Sequence, residues 1–376
     1  MSDSPARDVS LNLAIDSVRI FPFDIPLRDA FTIATMSLST AQNLLVEVRT
    51  SHGIVGWGEA SSFRSIVGET QGINIAAARE LKPLLVGSNA LAVRPLMERL
   101  DAYLPHNATL KSAIDMALFD IAAQASGLPL FAYLGGEKRE METDLTIGIS
   151  APARAAQKAV EARRMGFHIL KVKVGADWRD DLARLTEIRR AVGPETVLRI
   201  DANQGWDRVA AVRGLGAMAE LNVEFCEQPC RADDLQGLRH VHRHAAVPVM
   251  ADESVFSPAD ALEVVRQDAA ALFNIKLSKS GGIHRAQQIA HVAAAGYRPC
   301  MAGCMSESRL GLTAAAHFAC SSPAIRFFDL DSCLEHSENW ILGGIDYKGG
   351  VISIPDTPGI GARPDPDYLR RLVAIP

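Results

Sequence analysis

Six short apolar runs in the C-terminal two thirds of the chain end in residues that could do chemistry. They finish in Lys171-Val-Lys173, Asp201-Ala-Asn203, Glu227-Gln-Pro, Asp252-Glu253-Ser254, Lys276 and Asp329-Leu-Asp331. Side chains alternate along an extended chain, so Lys171 and Lys173 share a face. Taken singly, an acid in such a place is an ordinary cap for the helix that follows, and a lone Lys276 could lie along the surface with its ammonium in water. The array weighs more than its members. Asp201, Glu227 and Asp252 follow one another at intervals of 26 and 25 residues, with lysine-bearing runs on either side. Buried like charges are costly unless something compensates them. A hard divalent cation compensates three carboxylates, and Mg²⁺ takes few protein oxygens and leaves the rest of its octahedron to water or substrate.

That arrangement points to proton abstraction next to a carboxylate. If the runs are neighbouring strands, Lys173 and Lys276 flank the three acids and address opposite faces of a carbon held at the metal. A free lysine titrates at about 10.4, so a base must be tuned downward, by a nearby cation or a second lysine. Coordination of the substrate carboxylate would stabilise the enolate left when the α-proton departs. Two bases on two faces imply inversion of a stereocentre.

The elements needed to hold these groups are legible in the same stretch. Apolar runs at 144–149, 169–174, 197–201, 224–227, 248–252, 272–276, 299–302 and 325–329 alternate with helical patterns at 153–165, 180–191, 208–220, 258–266, 284–295 and 308–320. Eight strands joined by crossover helices predict an α/β fold, a closed parallel (β/α) barrel of the modified (β/α)7β kind, whose active site lies at the C-terminal mouth of the strands. The rival, an open doubly wound sheet, should carry a glycine-rich fingerprint after its first strand, and none is present. Before this rhythm, alternating runs at 13–22, 41–50 and 54–59 read as antiparallel strands, followed by helices over 72–85, 92–104 and 109–127. Residues 1–135 therefore form an α+β capping domain, 136–331 the barrel, and 332–376 a tail that returns to the cap.

Composition sets outer bounds. The 376 residues carry a formal net charge of −5, which leaves no basic surplus for nucleic acid. No apolar run approaches the about 18 residues that span a bilayer, and residues 1–12 lack the basic and then apolar order of a signal peptide. All six cysteines lie in the C-terminal half, several of them inside apolar runs; Cys226 and Cys230 lack a second pair to complete a metal site. They read as reduced thiols of a cytoplasmic protein.

These residues also resemble the enolase superfamily, muconate-lactonizing subgroup. The resemblance runs through Ser112-Ala-Ile-Asp-Met-Ala-Leu-Phe-Asp120, Gly127-Leu-Pro129, the Lys171/Lys173 pair, Asp201-Ala-Asn203, Glu227-Gln-Pro229, Ala251-Asp-Glu-Ser254 and Asn274-Ile-Lys-Leu277 through Gly281-Gly282. It implies one Mg²⁺ per subunit on Asp201, Glu227 and Asp252, an acid/base pair of Lys173 and Lys276, support from Lys171, and Asn203 and Glu253 behind the ligands. Within the subgroup, Asp329-Leu-Asp331 and Gly303-Cys-Met-Ser-Glu-Ser308 resemble the dipeptide epimerases, where the aspartate pair receives the substrate's α-ammonium group. A pocket of Thr146, Met36, Ile66, Cys304 and Met305 is implied with it, as is a homo-oligomer. Epimerases acting on Ala-Glu hold the glutamate with a capping-loop arginine; Met36 stands at that place here. Arg64 is a surface residue or its substitute, and Glu335 in Cys333-Leu-Glu-His336 favours a basic side chain.

The expectation is thus an isomerase that inverts the C-terminal α-carbon of an L,L-dipeptide. The alternatives are relatives with the same machinery, namely N-acylamino acid racemase, o-succinylbenzoate synthase or muconate cycloisomerase, whose substrates offer no ammonium to the aspartates. A histidine base after strand seven is excluded by Cys300-Met-Ala-Gly-Cys304. A barrel that only binds metal and peptide would have no use for buried amines. No repeat or low-complexity tract suggests a scaffold protein.

Overall fold

A computed structural model describes residues 12–376, so nearly all of the polar N-terminal stretch lies outside the described residues. The chain opens with an antiparallel sheet, β1 (Ile15–Thr32), β2 (Ser37–Thr50) and β3 (Val55–Ser61), in that order. β1 runs ten residues beyond the predicted end at residue 22. Pro22 and Pro26 suggest a stop, but β1 is an edge strand, where a missing N–H is tolerated. Helices α1 (Arg64–Val67), α2 (Gln71–Leu85), α3 (Val93–Tyr103), α4 (Ala108–Ser126) and α5 (Leu130–Tyr133) follow.

α4 is the joint of the molecule. Its residues from Thr109 to Ala123 are all buried, because it lies between the sheet and the barrel. The helix rides directly on the backbone of β3: a Cβ at Gly58 would stand 1.9 Å from the Ala113 carbonyl oxygen, and one at Gly56 2.1 Å from that of Ala117. Two acids of α4 tie the layers together. Asp115 accepts from the Ile283 N–H in the barrel, and Asp120 from the N–H groups of Trp57 (3.0 Å) and Ile360 (2.8 Å).

The barrel part runs from β4 (Met141–Glu142) through β5 (Leu145–Ile147), α6 (Pro152–Arg164), β6 (Ile169–Lys173), α7 (Trp178–Val192), β7 (Val197–Asp201), α8 (Arg208–Met218), β8 (Val223–Glu227), α9 (Leu235–His244), β9 (Val249–Ala251), α10 (Pro258–Gln267), β10 (Leu272–Ile275), α11 (Leu277–Ser280), α12 (Ile283–Ala295), β11 (Cys300–Ala302), α13 (Arg309–Cys320) and β12 (Ile325–Phe328). Strands β5 to β12 make one eight-stranded sheet in sequential order, parallel throughout, with a single short 3-10 turn (Ser332–Leu334) in place of a packed helix after the last strand. Its two edges meet without a ladder: Asp144 N–H donates to Phe328 O (3.3 Å) and Leu330 N–H to Thr143 Oγ1 (2.8 Å). The sequence reading leaves α9 unassigned, since Gly237, Leu238 and Val241 are its buried positions in a run otherwise rich in His and Arg.

The tail, with β13 (Ile341–Gly343), β14 (Asp346–Lys348), β15 (Val351–Ser353), β16 (Ala362–Pro364) and α14 (Pro366–Leu369), ties the two parts. β15 pairs with β4, and Trp340 stacks on Tyr368 while both rings meet Phe23 of β1.

His317 on α13 shows how closely this joint is specified. Its Nδ1 accepts the Phe131 N–H (3.1 Å), so Nε2 carries the proton and donates to Ile360 O (3.0 Å). Burial pushes its pKa down from 6.5 to about 4. Because the folded pKa is depressed, the neutral ring's stabilisation is complete above pH 6.5 and is lost as pH falls through 4. We expect about 3 kcal/mol of lost unfolding free energy across that window from this group. Urea unfolding from pH 7 to 4 should show a shallower decline in His317→Gln than in the parent protein; equal slopes would refute the assignment.

Candidate active site

The three acids arrive side by side because their strands do. Asp201 and Glu227 are the last residues of β7 and β8, and Asp252 directly follows β9. All three are fully buried. Gln228, itself buried, fixes the register of the neighbouring loops: its Oε1 accepts from the N–H groups of Asp252 (2.9 Å) and Ser254 (3.1 Å), and its Nε2 donates to Ser254 Oγ (2.8 Å). Asn203 donates its N–H to Asp201 Oδ1 (2.9 Å) and its amide to Glu253 Oε1 (3.2 Å), so both residues stand directly behind the acids. Asn274, from β10, donates to Glu227 Oε1 (2.8 Å).

Lysines surround this cluster. Lys171 Nζ lies 2.7 Å from Glu227 Oε2, 2.7 Å from Asp329 Oδ2 and 3.2 Å from Asp201 Oδ2. Lys173 Nζ donates to Asp201 Oδ2 (2.6 Å), and Lys276 Nζ is 2.8 Å from Asp252 Oδ2. A fourth ammonium escaped the sequence reading. Lys279, fully buried on the single turn α11, lies 2.6 Å from Asp252 Oδ1 and donates to the carbonyls of Asp252 and Asn274. Its signal is the three-residue spacing from Lys276, which puts both on one side of the turn.

The electrostatics correct one expectation. Burial works against the charged form of Lys276, but the carboxylates of Asp252 and Glu227 outweigh it and hold the ammonium well above its usual range. The protein's own groups therefore do not tune this lysine downward. Burial, with the Asp201 charge beside it, pushes Glu227 up to about 8. Its Oε2 and the Oδ2 of Asp252 are enclosed without a well-directed hydrogen bond, although ammonium groups stand 2.7 and 2.8 Å away. Three buried carboxylates, two of them with an oxygen that no well-directed hydrogen bond reaches, form a donor set that fits a hard divalent cation.

Across the mouth, Asp329 and Asp331 follow β12. Asp329 accepts from Lys171 (2.7 Å), while Asp331 Oδ2 accepts the Thr146 N–H (2.6 Å). Burial and the neighbouring Asp329 raise Asp331 to about 7. At Asp329 burial is outweighed by the charges of Lys171, Lys276 and Lys173, which hold it below the usual carboxylate range, so Asp331 is the carboxylate short of a cation. Cys304 also comes within 4.8 Å of the pair. Its thiol is pushed well above its usual value by burial and by both aspartates, so this group suits an ammonium donor better than a metal.

Lys173, Lys276, Asp329 and Asp331 line one cleft with Thr146, Cys304, Met305 and Ile66. The cap closes it with Leu27, Phe31, Ile33 and Phe63. Met36 is not among the lining residues. It sits in the β1–β2 turn, where its carbonyl accepts the Ile33 N–H (3.0 Å), and Ile33 faces the cleft instead. Arg64 is exposed and does not line the cleft.

Residues 15–135 match the N-terminal domain of mandelate racemase / muconate lactonizing enzyme, and residues 153–368 match the enolase C-terminal domain-like family. The chain belongs to the mandelate racemase/muconate lactonizing enzyme family. Within this enolase-like family it is 42% identical over 341 residues to the L-Ala-D/L-Glu epimerase of Bacillus subtilis, covering 90% of this chain and 93% of the relative. It is 38% identical to the D-Ala-D/L-Ala epimerase of Cytophaga hutchinsonii, covering 96% and 99%. A crystal structure of the dipeptide epimerase from Cytophaga hutchinsonii, complexed with Mg and D-Ala-L-Val, superposes with a TM-score of 0.95 at 37% identity, over 97% of this chain and all of that one. The family fold, a capping domain on an eight-stranded parallel barrel sheet, is the one described above. Among the described residues no helix is long and apolar enough to cross a membrane.

Proposed function

We propose that this chain is a magnesium-dependent dipeptide epimerase that inverts the α-carbon of the C-terminal residue. The observation that carries the reading is the pairing, in one cleft, of two lysines flanking a buried three-carboxylate cluster with two aspartates opposite, Asp329 held by Lys171 and Asp331 raised to about 7 by burial and by Asp329. The substrate's α-ammonium group would sit at Asp329 and Asp331, and its carboxylate over Asp201, Glu227 and Asp252. Held at both ends, the dipeptide presents its second α-carbon between Lys173 and Lys276. One lysine removes the proton and the other delivers one to the opposite face. Lys171, already shared among Asp201, Glu227 and Asp329, holds the floor in place and adds positive charge beneath the developing enolate. Asp201, Glu227 and Asp252 would hold Mg²⁺, which would polarise the substrate carboxylate and offset the negative charge that keeps Lys276 protonated. The cytoplasm is the proposed compartment, which six free cysteines support.

Incubation of the protein with Mg²⁺ and L,L-dipeptide libraries in D₂O tests this directly. A subset of dipeptides should gain one deuterium, read by mass spectrometry, and the same dipeptides with acylated amino ends should not. Labelling of the acylated peptides alone would favour an N-acylamino acid racemase.

A further inference from the structure

Glu335 is a carboxylate in the wall of the cleft with no hydrogen-bond or ion-pair partner among the described residues, although the charges of Lys158 and Arg28 act on it from further off. It is half-buried, four residues beyond Asp331, and close enough to raise the Asp331 carboxyl by its charge. Its backbone is fixed, since Arg28 N–H donates to the Glu335 carbonyl (2.9 Å). The nearby cations are engaged elsewhere: Arg28 Nε donates to His336 O (2.9 Å), and Lys158 Nζ is 3.1 Å from Asp29. Among the described residues none hydrogen-bonds or ion-pairs with the Glu335 side chain. Leu27, beside it in the cleft wall, supplies apolar surface and no charge. A half-buried, partnerless carboxylate is unfavourable unless a ligand completes it.

We propose that Glu335 selects dipeptides whose amino-terminal residue carries a cationic side chain. This rests on the epimerase reading above. Its position argues for the first residue and not the second. The ammonium end of the substrate lies at Asp329 and Asp331, and Glu335 stands on that side. The second residue's side chain leaves the α-carbon near Lys173, whose Nζ lies 6.0 Å from the centre of the Phe31 ring, toward the apolar surface of Phe31 and Ile33. A lysine or arginine at the first position can run its methylenes past Leu27 and set its charge on Glu335, a charge-assisted contact that alanine cannot make.

The test compares kcat/KM for L-Lys-L-Ala, L-Ala-L-Lys and L-Ala-L-Ala in the parent protein, Glu335→Gln and Glu335→Asp. In the parent, L-Lys-L-Ala should exceed L-Ala-L-Ala by about tenfold or more. Glu335→Gln should collapse that ratio toward one, and Glu335→Asp should keep most of it. A ratio, unlike an absolute rate, is not moved by a general loss of folded protein. A parent enzyme that epimerises all three without the lysine preference, or that prefers L-Ala-L-Lys, overturns this inference and leaves the epimerase reading standing. Failure of all three to take up solvent deuterium, with no labelling anywhere in the L,L-dipeptide libraries, overturns the epimerase reading itself; failure of the three with labelling elsewhere in the libraries overturns the lysine preference alone.

Discussion

Replacing Lys276 by alanine should lower the rate of epimerisation by about 10²- to 10⁴-fold, the range a positioned general base supplies. Replacing Lys173 should do the same. The losses should differ in kind. Each variant keeps one base, so each should still exchange the α-proton of the epimer that presents its hydrogen to the remaining lysine, without inverting it. Lys173→Ala and Lys276→Ala should therefore retain exchange on opposite epimers, as followed by ¹H NMR in D₂O. The measurement belongs at saturating Mg²⁺. Lys276 lies 2.8 Å from Asp252 and 3.7 Å from Glu227, so its removal leaves buried carboxylates with less compensation and could otherwise cost stability. Exchange retained on the same epimer by both variants, or full epimerisation by either, would sink the two-base assignment.

Glu227→Gln should be comparably damaging, for a different reason. Glu227 stands on the middle strand of the three that bear carboxylates, with Oε1 held by Asn274 (2.8 Å) and Oε2 enclosed without a well-directed hydrogen bond. The amide is close in shape and can still accept from Asn274, so the fold should survive while one of three anionic donors is lost. We expect Mg²⁺ affinity to fall by about 10²-fold or more and turnover to be lost at submillimolar Mg²⁺. Thermal unfolding gives a readout independent of catalysis. At about 100 times Kd, an ion that binds only the folded state adds about 2.7 kcal/mol. The parent protein should show this gain, reversed by EDTA, and Glu227→Gln should show little of it. An equal gain in both would remove Glu227 from the ligand set.

The strand-end groups Lys173, Asp201, Glu227, Asp252, Lys276 and Asp329 were legible because each ends a short apolar run, and such runs recur at a nearly even interval. Period-two alternation then fixes which side chains point inward, and the cost of burying like charges makes the array conspicuous. The order β5 to β12 follows from the same rhythm, since consecutive parallel strands with crossover helices are neighbours. The predicted limits of the helices also hold closely: 258–266 against Pro258–Gln267, and 284–295 against Ile283–Ala295.

What only the tertiary structure decided depends on residues far apart in the chain. Leu27, Phe31, Ile33 and Phe63 close a cleft whose floor lies more than a hundred residues later, and no local pattern records that approach. It also turns Met36 away from the pocket in which the family resemblance places it. Lys279 looks like any helical lysine until α11 folds it beneath Asp252. The direction of the Lys276 pKa is likewise a sum over neighbours in space: burial lowers it, two carboxylates raise it further, and the sequence cannot order those contributions because it carries no distances. Local chemistry and periodicity were written in the order of the residues; the shape of the pocket and the balance of its charges arise only when distant segments meet.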